Sequence, residues 1–188
     1  MIGQLPKTIK VGEREEPIRT DFRDILTIFA AFNDEELSLE EKMLVCLRII
    51  YINIDDINPD FYYEAYEKAV AFININQSHN DCKDDFRLMD WEQDEQLIFA
   101  AVNKVAGTEV RLFDYMHWWT FMGYYMGIGE SLFADVVNIR SKKHKHKKLD
   151  AHEIEFYKSN KEMVDLRTRY TKEELKEREE LKKILGIG

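Results

Sequence analysis

The periodicity of apolar and polar positions changes near residue 20. Thr8 to Val11 alternate polar and apolar side chains, Gly12 follows, and Pro17 begins a second short stretch. Alternation with a period of two is typical of a half-buried strand, and proline restricts its strand to the edge of a sheet. Residues 1–20 are therefore predicted to form a small β-hairpin.

From residue 21 onward, apolar side chains recur every three or four positions, which is the period of an amphipathic helix. The helix start signals are capping residues, among them two capping boxes that pair Ser38 with Glu41 and Asp150 with Glu153. Gly107 is predicted to end a helix. The full set of predicted start positions is Thr20 or Asp21, Ser38, Asn58–Pro59, Asp90, Asp150 and Thr171.

The most apolar region extends from Phe113 to Ile139. It is too long and too uniformly apolar for one surface helix, so we predict two helices that break near Gly127 to Gly129 and lie in the core. A membrane span over Leu112 to Gly129 is disfavoured, because the segment carries Asp114 and His117. No membrane association is expected.

These patterns predict a mainly α fold, a compact multi-helix domain of about seven or eight helices with a small N-terminal β-hairpin. The scarcity of proline (3) and glycine (8) in 188 residues also favours long helices. We expect one domain over residues 1–188, divided into a hairpin (1–20), a helical core (21–139), a basic connector (140–149) and C-terminal helices (150–188).

The cysteine content and the N-terminus indicate a cytoplasmic protein. Cys46 and Cys82 are too few for a disulfide framework, and Cys46 lies in an apolar helical pattern, where it is expected to be a small buried side chain. The first ten residues contain no apolar signal-peptide segment.

Charge is distributed unevenly along the chain. Residues 1–139 contain 12 Lys and Arg against 26 Asp and Glu, a net charge of −14, whereas residues 140–188 contain 15 against 10, a net charge of +5. An acidic body and a basic end allow self-association, or a different partner for each part.

The basic segment from Arg140 to Lys148 is the sharpest polar feature. It has three interpretations: a solvated connector between helices, a docking site for an acidic protein surface, or a phosphate-binding site for nucleic acid. The overall negative charge and the absence of interleaved aromatic residues make nucleic acid the least favoured. The candidate binding residues are Arg140, Lys142, Lys143, Lys145, Lys147 and Lys148.

The adjacent Trp118 and Trp119 are a second candidate for partner binding. On one helix they point about 100° apart, so at least one of them is expected near the edge of the core. Either both pack inside, or one is an aromatic anchor for a partner, a role in which tryptophan is common.

Nothing in the chain nominates a catalytic or metal site. His117 is expected to be a core histidine with a hydrogen bond, because no nucleophile or orienting group accompanies it. His144 and His146 lie among lysines, whose charge opposes a divalent cation. Phosphate-loop, nucleophile-elbow and zinc-protease motifs are absent, so we expect no enzyme activity, no cofactor and no metal.

Several blocks resemble one phage family. They are MHWWTFMGYYMGIGESLF from Met116 to Phe133, IRSKKHKHKKLDAHEIEFYKSNK from Ile139 to Lys161, and DWEQDEQLIFAAVNKV from Asp90 to Val105, with the hairpin that leads into TDFRDIL. Together they resemble the bacteriophage family named after "gene product fifteen". The likeness covers nearly the whole chain, and the combination of blocks is more specific than any one of them.

The resemblance implies a protein of siphophages and prophages of Gram-positive bacteria, encoded among tail genes near the tape-measure gene. That gene position suggests a tail assembly chaperone that coats the tape-measure protein in the host cytoplasm. The alternatives are a structural neck or tail-completion component of the virion and a nucleic-acid-binding factor that uses the basic segment. The family offers no catalytic residues to carry over.

Overall fold

The N-terminal strands form the predicted hairpin, but the second strand consists of the mostly charged segment Arg14–Pro17, so the prediction that it begins at Pro17 is wrong. In the computed structural model, which describes residues 2–75 and 87–168 and positions 174, 176, 177 and 181, β1 (Thr8–Val11) pairs antiparallel with β2 (Arg14–Pro17). Gly12 at the turn has a φ of 56°, a left-handed conformation that glycine adopts without strain. The hairpin joins the helices through a bridge between Ile18 and Tyr51.

Eight helices follow within the described residues, which confirms the mainly α fold. The predicted helix that starts at Thr171 lies outside the described residues except for helical positions 174, 176, 177 and 181, and so does most of the loop predicted over residues 74–85. The helices are α1 (Phe22–Phe32), α2 (Leu39–Ile50), α3 (Tyr62–Ile73), α4 (Glu95–Ala106), α5 (Trp118–Met126), α6 (Leu132–His144), α7 (Ala151–Ser159) and α8 (Lys161–Val164).

Local capping explains where most of these helices begin. Asp21 accepts the Arg23 amide at the start of α1, and reciprocal capping boxes precede α2 and α7. Gly107 ends α4 with a φ of 71°. The start predicted at Asp90 is wrong, because its carboxylate closes a separate turn by accepting the amides of Glu92 and Gln93 before α4 begins.

The main core is rich in aromatic residues and lies between α1, α2, α3, α4 and α5. Phe22 stacks on Phe121 with ring centroids 4.7 Å apart, and Trp118 stacks on Phe121 at 5.8 Å. Cys46 is fully buried, as predicted. The apolar central run does break into α5 and α6. Its first residues, however, precede α5 as a non-helical segment that exposes Phe113 and Tyr115, so the prediction that they lie in the interior is wrong.

A second, smaller cluster joins α6 to α7 and α8. Its buried apolar residues are Val136, Ile139 and Val164, and Leu97 of α4 packs against both clusters. Because α6 continues to His144, the first half of the predicted connector over residues 140–149 is helical. None of the described helices has the length and apolar character needed to cross a bilayer.

Candidate protein-binding surfaces

The tryptophan pair is attached to the end of α3. Trp118 is 1% exposed and its indole N–H donates to the Ile73 carbonyl at 2.8 Å. The indole N–H of Trp119 donates to the neighbouring Phe72 carbonyl at 3.0 Å, and its half-buried ring stacks on the Phe72 ring. Trp118 is therefore a core residue, and only Trp119 has surface to offer a partner.

His117 is the N-cap of α5. Its Nδ1 accepts the Trp119 amide at 3.0 Å, which places the ring proton on Nε2, and Nε2 donates to the Pro6 carbonyl at 2.9 Å. Burial lowers the pKa of His117, and the hydrogen bond to Pro6 opposes that shift only in part. The imidazole is thus a neutral capping group that ties the N-terminal segment to α5.

Arg140 is enclosed by protein groups. It is 4% exposed and forms a bidentate ion pair with Asp94, with distances of 2.6 and 2.9 Å. The same guanidinium donates to the carbonyls of Leu88, Met163 and Val164. Its donors are directed at internal acceptors, so Arg140 is not placed to bind an external ligand as the basic pattern suggested.

Lys142 and Lys143 are paired with carboxylates on neighbouring elements. The Lys142 ammonium lies 2.5 Å from Glu153, and that of Lys143 lies 2.5 Å from Asp165 and 3.8 Å from the centre of the Tyr157 ring. Burial alone would lower the pKa of Lys143, but hydrogen bonds to Asp165 and Tyr157 raise it on balance. Both lysines therefore hold α6 against α7 and the segment after α8.

The remaining lysines extend beyond the end of α6. The Lys147 amide donates to the Lys142 carbonyl at 2.8 Å and the His146 amide to that of Lys143 at 3.1 Å, while His146 has a φ of 52°. This is a Schellman motif, which terminates the helix. Lys145, Lys147 and Lys148 are exposed there. Of the six basic residues predicted to bind a partner, Arg140 is buried in an ion pair, Lys142 and Lys143 are paired with carboxylates at the surface, and the other three are exposed.

A cleft of about 460 Å³ lies beside Arg140, between α6 and the segment after α8. Three side chains in its wall, those of Arg87, Lys143 and Asp165, already pair with protein groups. Over residues 2–75 and 87–168, no cluster of three or more histidine, cysteine or carboxylate side chains is arranged to hold a metal.

An exposed apolar ridge precedes α5. It consists of Leu112, Phe113 and Tyr115, and Leu112 is 80% exposed. The prediction from sequence missed this ridge, because the apolar run around it indicated interior packing. The available signal was Asp114, a charged residue in the middle of the apolar side chains.

The backbone of the ridge is held by hydrogen bonds from two side chains at the start of α1. The Arg23 guanidinium donates to the carbonyls of Arg111 and Phe113 while it pairs with Asp21. Asp21 in turn accepts the Met116 amide at 3.0 Å. The exposed side chains therefore stand on an ordered segment, which lowers the entropic cost of binding a partner.

Comparison with protein families gives the chain its classification. A family model described as "Bacteriophage Gp15 protein" matches residues 1–166. The chain belongs to this bacteriophage Gp15 family. Parallel comparisons with curated proteins and with solved structures gave no match.

The Gp15 match covers the features described above. It includes the hairpin, the helices α1 to α8, the ridge and both partners of the Arg140–Asp94 ion pair. Membership of the Gp15 family indicates a phage structural or morphogenesis protein. The resemblance seen in the sequence is thereby confirmed at the level of the family.

Proposed function

We propose that this Gp15-family protein is a non-catalytic tail assembly chaperone that binds the tape-measure protein in the cytoplasm of the bacterial host. The observation that carries the proposal is the family match over residues 1–166. The resemblance in sequence adds the position of such genes among tail genes, which is an association and not a chemical argument.

The apolar ridge supplies a surface suited to this role. A tape-measure protein is long and helical, and an amphipathic helix offers apolar anchors at helical spacing to a complementary surface. Leu112, Phe113 and Tyr115 present large apolar groups with two aromatic rings among them, and aromatic residues are enriched at protein interfaces. We assign the ridge as the contact with the tape-measure helix.

Reversible binding is the second requirement, because tail-tube subunits must later displace the chaperone. A ridge of three exposed side chains buries little area, and small interfaces are typical of transient complexes. Several copies bound along one long partner would still hold it firmly through multivalency. The proposed contact therefore combines weak single sites with strong collective binding.

The test is co-expression with the tape-measure protein of the same phage. Wild type should raise the soluble fraction of the tape-measure protein and elute with it, whereas Leu112→Ser/Phe113→Ser should lose both effects. A matched control, Ile52→Ser/Tyr63→Ser, alters two exposed apolar residues elsewhere and should behave as wild type. Absence of any effect by wild type would contradict the proposal.

Mass spectrometry of purified virions separates the chaperone from a structural virion component. A chaperone should be absent or present in trace amounts in the mature particle. A stoichiometric amount, comparable with that of known tail proteins, would replace the proposal with a structural role.

A further inference from the structure

An acidic cleft of about 690 Å³ is lined by the end of α1, the loop that follows it and Glu92. Carboxylates dominate its wall, and the apolar Leu37 lies among them. Directly after it, Leu39 at the first position of α2 is 85% exposed, and Glu40 beside it is exposed as well. The acidic lining residues are Asp34, Glu35, Glu36 and Glu92.

A basic groove of about 650 Å³ lies between α4 and the α7–α8 corner. Its positive charge comes from Lys158, Lys161 and Arg167, which are all exposed, and Glu162 is the one carboxylate among the described residues that line it. Leu97 and Met163 add apolar surface. The groove therefore has the opposite charge to the acidic cleft and a similar mixture of polar and apolar groups.

On each of the two surfaces, some exposed charges have no ion partner within the described residues. Within residues 2–75 and 87–168, no oppositely charged group lies within 4.0 Å of the basic side chains of Lys158, Lys161 and Arg167. The same is true of the carboxylates of Glu35 and Glu40. When one chain carries an acidic and a basic surface, the acidic surface of one copy is complementary in charge to the basic surface of a second copy.

The two surfaces are neighbours. Glu92 lines the acidic cleft, and the next residue, Gln93, lines the basic groove and donates to the Asp165 carbonyl at 2.9 Å. In a two-fold dimer both protomers use the same surface patch. Every contact between one residue and a different residue of the partner therefore occurs twice, once on each side of the axis. Adjacent acidic and basic surfaces suit that symmetry, because both contacts form at once.

We propose that a second copy of this chain docks on this patch, with the acidic cleft and Leu39 of each protomer against the basic groove of the other. The acidic neighbour also explains why nucleic acid is the less suitable occupant of the groove, since its carboxylates would repel phosphate. The inference does not depend on tape-measure binding, because the dimer is a property of the isolated chain.

Sedimentation velocity of the purified full-length protein tests the proposal. Wild type should dimerise at about 0.05 M salt and dissociate at about 0.5 M, where charges are screened over shorter distances. The charge reversals Glu35→Lys/Glu40→Lys and Lys158→Glu/Lys161→Glu should each lower the association constant about a hundredfold or more. An equimolar mixture should form a heterodimer, because the reversed charges then face each other in one contact and the native charges face each other in the other.

Apolar variants supply the matched control. Leu39→Ser, which removes the apolar side chain without adding a charge, should weaken the dimer, whereas Leu112→Ser, at a position of similar exposure on the ridge, should leave it unchanged. Circular dichroism checks that every variant is folded.

A wild-type monomer at low salt, unchanged association of the charge variants, or no recovery on mixing would overturn the proposal. Species larger than a dimer would replace it with head-to-tail assembly, and salt-sensitive DNA retention lost in the lysine variant would assign the groove to nucleic acid.

Discussion

The two packed clusters of this protein are stabilised in different ways. The main core is built from stacked aromatic rings such as Phe22, Trp118 and Phe121. In the part of the chain that the structure describes, the smaller cluster between α6, α7 and α8 has three buried apolar residues, and the bidentate Arg140–Asp94 ion pair lies beside them. Apolar burial is sufficient for a large core, whereas a small corner with little area to bury relies on directed polar contacts.

The guanidinium is well suited to the smaller cluster. One planar group with five donors reaches a carboxylate and the carbonyls of three separate residues, which lysine cannot do. Two of those carbonyls belong to Met163 and Val164, the last two residues of the short helix α8, where a positive charge is favourable. Arg140 thus connects α4, α6 and α8 at one point.

The largest expected effect is in the aromatic core. Trp118→Ala should lower the free energy of unfolding by about 3–5 kcal/mol, because it creates a cavity and leaves the Ile73 carbonyl without its donor. Urea denaturation measures the loss. Trp119→Ala, at a half-buried site with the equivalent hydrogen bond, is the control and should cost less. A greater loss from Trp119 would contradict the description of Trp118 as the core residue.

The next effect concerns the smaller cluster. Arg140→Gln should cost about 3 kcal/mol, because Asp94 would remain buried without its partner. Hydrogen exchange should show the loss mainly in α7 and α8. The control Lys147→Gln changes an exposed residue of the same basic segment and should stay within about 0.5 kcal/mol. Similar behaviour of the two variants would show that the segment is uniformly solvated.

The smallest expected effect is a pH dependence from His117 in the main core. Its pKa is lowered in the folded state, so protons bind preferentially to the unfolded chain as the pH falls below about 6.5. The stability that neutral His117 contributes is present above that pH and declines below it, by less than about 1.4 kcal/mol per pH unit.

His117→Asn isolates this titration, because asparagine is also an effective N-cap but does not titrate. The difference in unfolding free energy between wild type and this variant, measured by urea denaturation from pH 7.5 to about pH 5, should shift in favour of the variant at the acidic end. A difference independent of pH would contradict a buried neutral histidine.

The sequence predicted those parts of the fold that depend on local contacts. Ser38 lies three residues from Glu41, and Asp150 lies three from Glu153, so both capping boxes were visible as short patterns. The presence of the hairpin and the division of the central apolar run into α5 and α6 were predicted for the same reason, although the second strand begins at Arg14 and not at Pro17. Periodicity and caps act over a few residues, and the folded chain preserves them.

Which side chains of the candidate binding surfaces are exposed could not be predicted from short patterns, because it depends on contacts between residues far apart in the sequence. Arg140 looked like one of six basic residues in an exposed segment, but its partner Asp94 is 46 positions away in the chain. Leu112 and Phe113 looked like the beginning of a buried helix, but the hydrogen bonds that hold them on the surface come from Arg23, almost 90 residues earlier. Exposure and pairing across such distances are decided by tertiary packing.

The most direct test of the buried ion pair is a double-mutant cycle with Arg140→Met and Asp94→Asn, measured by urea denaturation. Asparagine can still accept the Asp90 amide that Asp94 accepts at 2.9 Å, so the cycle isolates the contact with the guanidinium. We expect a coupling free energy of about 2 kcal/mol or more, with the double variant less destabilised than the sum of the single ones. Effects that add within about 0.5 kcal/mol would show that Arg140 does not connect these helices through Asp94.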